Sequence, residues 1–66
     1  MVQKVTEVVG TSPKSFAKAA EDAVATAAKT VRKLRWFRVT ELEGSVDGEE
    51  ITEYRATVKI YFDFEE

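Results

Sequence analysis

The sequence predicts an α+β domain of order β-α-β-β, with a three-stranded antiparallel sheet in the order 1-3-2 packed on one helix. Three observations carry this reading. A β-branched run, VQKVTEVV, occupies residues 2–9. An alanine-rich stretch then repeats its apolar residues at spacings of three and four, and the C-terminal third alternates apolar with polar residues beyond an Asp-Gly pair.

The first strand is predicted over residues 2–9 and ends at Gly10. In the GTSP segment that follows, Thr11 or Ser12 is placed to cap a helix, and Pro13 suits a first helical turn, where its missing N–H costs nothing. Phe16, Ala19, Ala20, Ala23, Val24, Ala27 and Val31 share one helical face, which predicts a helix over 13–31. A face made mostly of alanine implies very close packing against a sheet or another helix. Two further strands, 34–44 and 49–64, are joined through Asp47-Gly48, a strong hairpin signal. Along the last strand Tyr54, Ala56, Val58, Ile60, Phe62 and Phe64 fall on one face. Glu53, Arg55, Thr57, Lys59, Tyr61 and Asp63 fall on the other. A right-handed crossover aligns the first two strands and the hairpin reverses the third. An all-antiparallel sheet then needs the third strand in the middle.

The chain reads as one domain, residues 1–66, and a chain this short buries only about 60% of its unfolded surface. Small folds supplement such a core with disulfides, a structural metal or self-association. Cysteine and histidine are both absent, which removes disulfides and the commonest zinc ligands and leaves self-association. The same absence removes the commonest general base and the best nucleophile, and no G-x-S-x-G, P-loop or G-x-G-x-x-G appears. An enzyme is therefore not expected. With 33% charged residues the chain is too polar for a membrane span. Lys4 and Glu7 interrupt any apolar leader after Met1, so the expected location is the cytoplasm.

Trp36, the chain's only tryptophan, lies in RWFRV. If Phe37 and Val39 join the apolar face under the helix, Trp36, Arg38 and Thr40 project from the opposite face, beside the row that holds Arg55 and Thr57. One helix covers only one face of a three-stranded sheet, so Trp36 is expected on the uncovered side. Three roles suit it there. It can anchor a subunit interface, where aromatics and arginine are enriched. It can be a stacking platform for a planar ligand, worth about 1–3 kcal/mol per ring. It can also serve nucleic-acid binding, given Lys29, Arg32, Lys33, Arg35 and Arg38 within ten residues. Against the last, the net charge is −2 and the cations coincide with a helix C-terminus, where they favour the macrodipole. Neither nucleic acid nor a membrane is expected as a partner.

The run VVGTSPKSFAKAAEDAV, then Trp36 within RWFRV, then the tail EYRATVKIYFDFEE resemble the dodecin family of small flavin-binding proteins over essentially the whole chain. The resemblance implies a hollow homododecamer with helices outward and sheets inward. It implies a flavin (riboflavin, lumichrome or FMN) whose isoalloxazine ring stacks on Trp36 at a subunit boundary, with Arg55, Arg38 and Thr57 as further cofactor-binding candidates. Such a protein stores flavin and quenches its photochemistry without turnover. Two positions depart from the family pattern. Arg55 stands where flavin binders commonly carry glutamine, and arginine donates hydrogen bonds but cannot accept one from the ring N–H. Asp63 stands where FMN-holding members carry a basic residue, which favours riboflavin or a smaller flavin over FMN. The alternative is a dodecin-like shell that binds cations or another small ligand. The carboxylates near the hairpin read first as a solvated rim. As a hard-cation site for Mg²⁺, Ca²⁺ or Na⁺ their first candidate is Glu41.

Overall fold

The computed structural model describes residues 2–64. Four elements follow in the predicted order: β1 (Val2–Ser12), α1 (Phe16–Ala27), β2 (Leu34–Asp47) and β3 (Glu50–Phe64). The sheet order is β1-β3-β2 and both pairings are antiparallel, as the crossover and the hairpin required.

The alternation of β3 sets the core. Ala56, Val58 and Ile60 are buried to 1% exposure or less, and Ala19, Ala23 and Ala27 of α1 lie against them. Val8, Ala20, Val24 and Leu34 pack around this centre. The alanine face lets α1 come close enough that the strand beneath it has no room for a side chain. Gly10 does not end β1, as the sequence suggested, but pairs with Ala56 inside it. A Cβ at Gly10 would overlap the Ala19 carbonyl and come within 2.8 Å of the Ala23 Cβ. Close approach of backbone is the reason for this glycine.

The helix is shorter than 13–31 at both ends. Thr11 and Ser12 continue β1, and the cap is Ser15, whose Oγ accepts a hydrogen bond from the Lys18 N–H at 3.0 Å. Pro13 falls in the connecting turn, where Ser12 Oγ accepts from the Lys14 N–H at 3.0 Å. At the far end, Val31 still bonds back to the Ala27 carbonyl. The left-handed conformation of Lys33, φ 64°, then turns the chain into β2. The loop of the hairpin is Gly48-Glu49, closed by the Asp47–Glu50 pair, with Gly48 at φ 66°. Glycine at the first central position suits a two-residue hairpin turn.

Two irregularities in β2 decide its faces. Pairing with β3 skips Arg35, between Leu34–Phe62 and Trp36–Tyr61, and skips Thr40, between Val39–Val58 and Glu41–Thr57. Each extra residue resets the two-residue period. Leu34, Phe37, Val39 and Leu42 therefore share the helix-side face with Phe62, Ile60, Val58 and Ala56, while Trp36, Arg38, Glu41 and Glu43 share the open face. Thr40 does not stand in the open row as expected. It occupies the bulge, and its hydroxyl donates to the Thr57 carbonyl at 3.3 Å.

Phe37 and Val39 have the expected face but not the expected cover. The helix lies over β1 and β3 and meets β2 only along an edge. Phe37 is left 51% exposed, with Val39 and Leu42 beside it also exposed. One side of β2 is thus an apolar surface without a lid in the single chain.

Candidate functional site

The open face is built from three antiparallel rows. Reading across the sheet from β1 through β3 to β2, the pairs run Gln3–Asp63, then Val5–Tyr61–Trp36, Glu7–Lys59–Arg38, Val9–Thr57–Glu41 and Thr11–Arg55–Glu43. Trp36 lies on this face, as expected. Its indole stacks on the ring of Tyr61, centroids 4.6 Å apart and planes 9° from parallel. Tyr61 therefore meets a residue of its own chain. With one side on Tyr61, the indole remains 46% exposed. The offset stack fixes its orientation and leaves apolar ring area open to a flat partner.

The expected companions of Trp36 are distributed unevenly. Arg38 sits one pair along from the indole, opposite Lys59. Thr57 is four residues from Tyr61 along β3 and Arg55 six, so Arg55 lies about 20 Å from the Trp36 pair at the usual strand rise. The Arg55 guanidinium is also engaged: Nη1 donates to Ser45 Oγ at 2.8 Å and to Glu53 Oε1 at 2.7 Å. Within one chain, Trp36 and Arg55 do not form one site.

Asp63 flanks the stack on the other side from Arg38, and its charge is compensated. Its Oδ2 pairs with Arg35 Nε at 3.1 Å, its Oδ1 accepts from Gln3 Nε2 at 3.2 Å, and its side chain is only 10% exposed. The acidic charge that on sequence grounds disfavours a phosphate is thus paired with Arg35, the residue at the bulge.

Glu41 faces Thr57 and Val9. Among the described residues, no three acidic side chains gather within one chain to hold a metal ion. No helix among them is long and apolar enough to cross a membrane.

Residue reasoning missed Tyr61 and Lys59 as neighbours of the tryptophan. The signal was available in their parity, since both fall in the odd-numbered row of β3. The bulge at Arg35 decides which of that row stands opposite Trp36, and it carries no local mark.

Fold and face together define a class of small β-α-β-β proteins whose three-stranded sheet is only partly covered by its own helix. The chain belongs to the dodecin family, whose model matches residues 2–65. Among curated relatives, the dodecin of Thermus thermophilus is 38% identical over 65 residues, covering 98% of this chain and 94% of the relative. Among solved structures, dodecin from Streptomyces coelicolor superposes with a TM-score of 0.93 at 40% identity, covering 98% of this chain and 93% of that one. Calcium dodecin from Mycobacterium tuberculosis, described as calcium-chelating with a novel calcium-binding site, gives a TM-score of 0.84 at 36% identity, covering 98% and 93%.

Proposed function

We propose that this chain is a flavin-binding and flavin-storage protein of the cytoplasm, without catalytic turnover, that assembles as a homododecamer. The observation that carries the reading is the Trp36 indole, stacked on Tyr61 yet half open on the uncovered sheet face. A flat isoalloxazine laid on the free side gains dispersion and burial of apolar ring area. Arg55 supplies donors to the carbonyl edge of the flavin from a second copy of the chain, since about 20 Å of strand separates it from Trp36 in its own copy. Arg38 stands one pair along from the indole, and Thr57 lies further along β3 on the same face.

The test is a titration of riboflavin into the assembled protein, read as loss of flavin fluorescence. Stoichiometric quenching that disappears in Trp36→Ala, with the assembly intact by mass, is the expected result. Riboflavin that keeps its full fluorescence at micromolar protein would remove the flavin from the proposal.

A second reading is a shell that binds hard cations such as Ca²⁺, Mg²⁺ or Na⁺, favoured by the likeness to a calcium dodecin. Glu41 would then be a ligand, with oxygens from several copies completing the coordination. Equilibrium dialysis with Ca²⁺ on wild type and Glu41→Gln separates this reading from the first, because flavin stacking on Trp36 does not require it.

A further inference from the structure

The pyrimidine edge of an isoalloxazine alternates acceptor, donor and acceptor: a carbonyl, the imide N–H and a second carbonyl. Arginine has donors only, so Arg55 by itself leaves that N–H unsatisfied, and a buried donor without a partner weakens binding. The row that holds Arg55 supplies an acceptor. Glu43 stands directly opposite Arg55 on β2, and Thr11 opposite it on β1. Facing side chains in an antiparallel pair have Cβ atoms about 4.5–5.5 Å apart, and opposite charges there ordinarily join. Here they do not. Arg55 Nη1 is drawn aside to Ser45 Oγ at 2.8 Å and Glu53 Oε1 at 2.7 Å. Among the described residues, the Glu43 carboxylate has neither an ion pair nor a hydrogen bond, and Arg55 Nε and Nη2 have no partner. Ser45 pairs with Glu53, on the hairpin side of Arg55. In the planar guanidinium the Nε–H and Nη2–H donors point away from Nη1. Two free donors therefore face away from the hairpin, beside a free carboxylate.

We propose that Glu43 is a flavin-binding residue that works as a pair with Arg55: Arg55 donates to a ring carbonyl, and Glu43 accepts from the imide N–H beside it. The inference rests on the flavin reading above, with Arg55 as edge ligand. An N–H bond to a carboxylate is charge-assisted and about twice as strong as a neutral one. The bonds from Ser45 and Glu53 keep Arg55 from closing on Glu43 and consuming the acceptor. The pair selects a ligand whose ring edge carries an N–H next to a carbonyl. It rejects one in which that nitrogen is alkylated.

The experiment compares riboflavin with its derivative methylated at the imide nitrogen, on the assembled protein, by loss of flavin fluorescence. The methyl group removes the donor and leaves the stacking surface unchanged. Wild type is expected to bind riboflavin about tenfold more tightly, the loss of one hydrogen bond to a charged group. In Glu43→Ala the ratio of the two affinities should fall towards one, since the donor has lost its acceptor and the methyl has gained room. In Glu43→Gln the side-chain carbonyl still accepts, so much of the ratio should return. Equal binding of both flavins by wild type would overturn the role of Glu43 and leave the platform standing. A preference that persists in Glu43→Ala would overturn it as well, because it would then report a steric clash or another acceptor. Quenching of neither flavin would overturn the platform, and the pair with it. The wild-type comparison needs no variant to fold.

Discussion

At the residue scale, the orientation of one indole decides what this face can do, and Tyr61 sets that orientation. A near-parallel stack at 4.6 Å is worth about 0.5–1.5 kcal/mol beyond the area it buries. Tyr61→Leu keeps bulk on the strand but removes the ring that aligns Trp36. We expect flavin affinity to drop several-fold, to within about tenfold, the equivalent of 1.4 kcal/mol. Tyr61→Phe should hold the wild-type value, because the stack uses the ring and not the hydroxyl. Because Trp36 is the sole tryptophan, its emission spectrum reports the packing in the same samples. An unaltered affinity in Tyr61→Leu would show that the platform is held by something other than this stack. No residue-type signal announced the pair. Period-two reasoning put both rings on one face, but their direct opposition depends on the skipped Arg35, and bulges in a strand leave no residue-type signature comparable to Asn-Gly in a turn.

At the element scale, what was legible followed from strong periodicity and what was not followed from competition between local signals. The alternation of β3 and the three-and-four spacing in α1 were read correctly because burial of an apolar stripe overrides single-residue propensities. The helix start was misread because Thr11, Ser12 and Ser15 are all cap-competent, and pairing of Thr11 with Arg55 and Ser12 with Tyr54 keeps the first two in the sheet. Gly10 was misread as punctuation when it is a clearance. Two substitutions test these assignments. Ser15→Ala removes the oxygen that accepts from the Lys18 N–H and should cost about 1 kcal/mol, while Ser12→Ala should leave helix content unchanged by circular dichroism. Gly10→Ala forces a methyl into the Ala19 carbonyl and the Ala23 side chain, where overpacking costs about 1–3 kcal/mol. Its thermal midpoint, measured at fixed protomer concentration, should fall well below that of Ser15→Ala. A Gly10→Ala protein as stable as wild type would mean that α1 can move off the sheet, and that the alanine face is not the constraint described here.

At the scale of the whole molecule, the single chain is a slab of 51 × 19 × 12 Å whose sheet is covered by a helix over only part of one face. Six small or medium side chains make the fully buried core, and a chain of this length has little else with which to offset its conformational entropy. Meanwhile Phe37, Leu42, Val46 and Ile51 stay more than half exposed. An apolar strip of that kind is rare on a stable monomer and common at subunit contacts, which agrees with membership of an oligomeric family. The strip and the platform lie on opposite sides of β2, so they can be separated experimentally. Phe37→Asp places a charge on the helix-side strip and leaves the residues of the open face intact. In an assembly that buries this strip the charge has no partner to offset its desolvation. The expected outcome is loss of the assembled species by light scattering, together with a lower and more concentration-dependent thermal midpoint. Flavin quenching should then vanish although Trp36 and Tyr61 are unchanged, because a ligand held between copies has no site on one copy. If Phe37→Asp dissociates the protein but flavin remains quenched with wild-type affinity, the indole of a single chain suffices, and the requirement for a second copy falls.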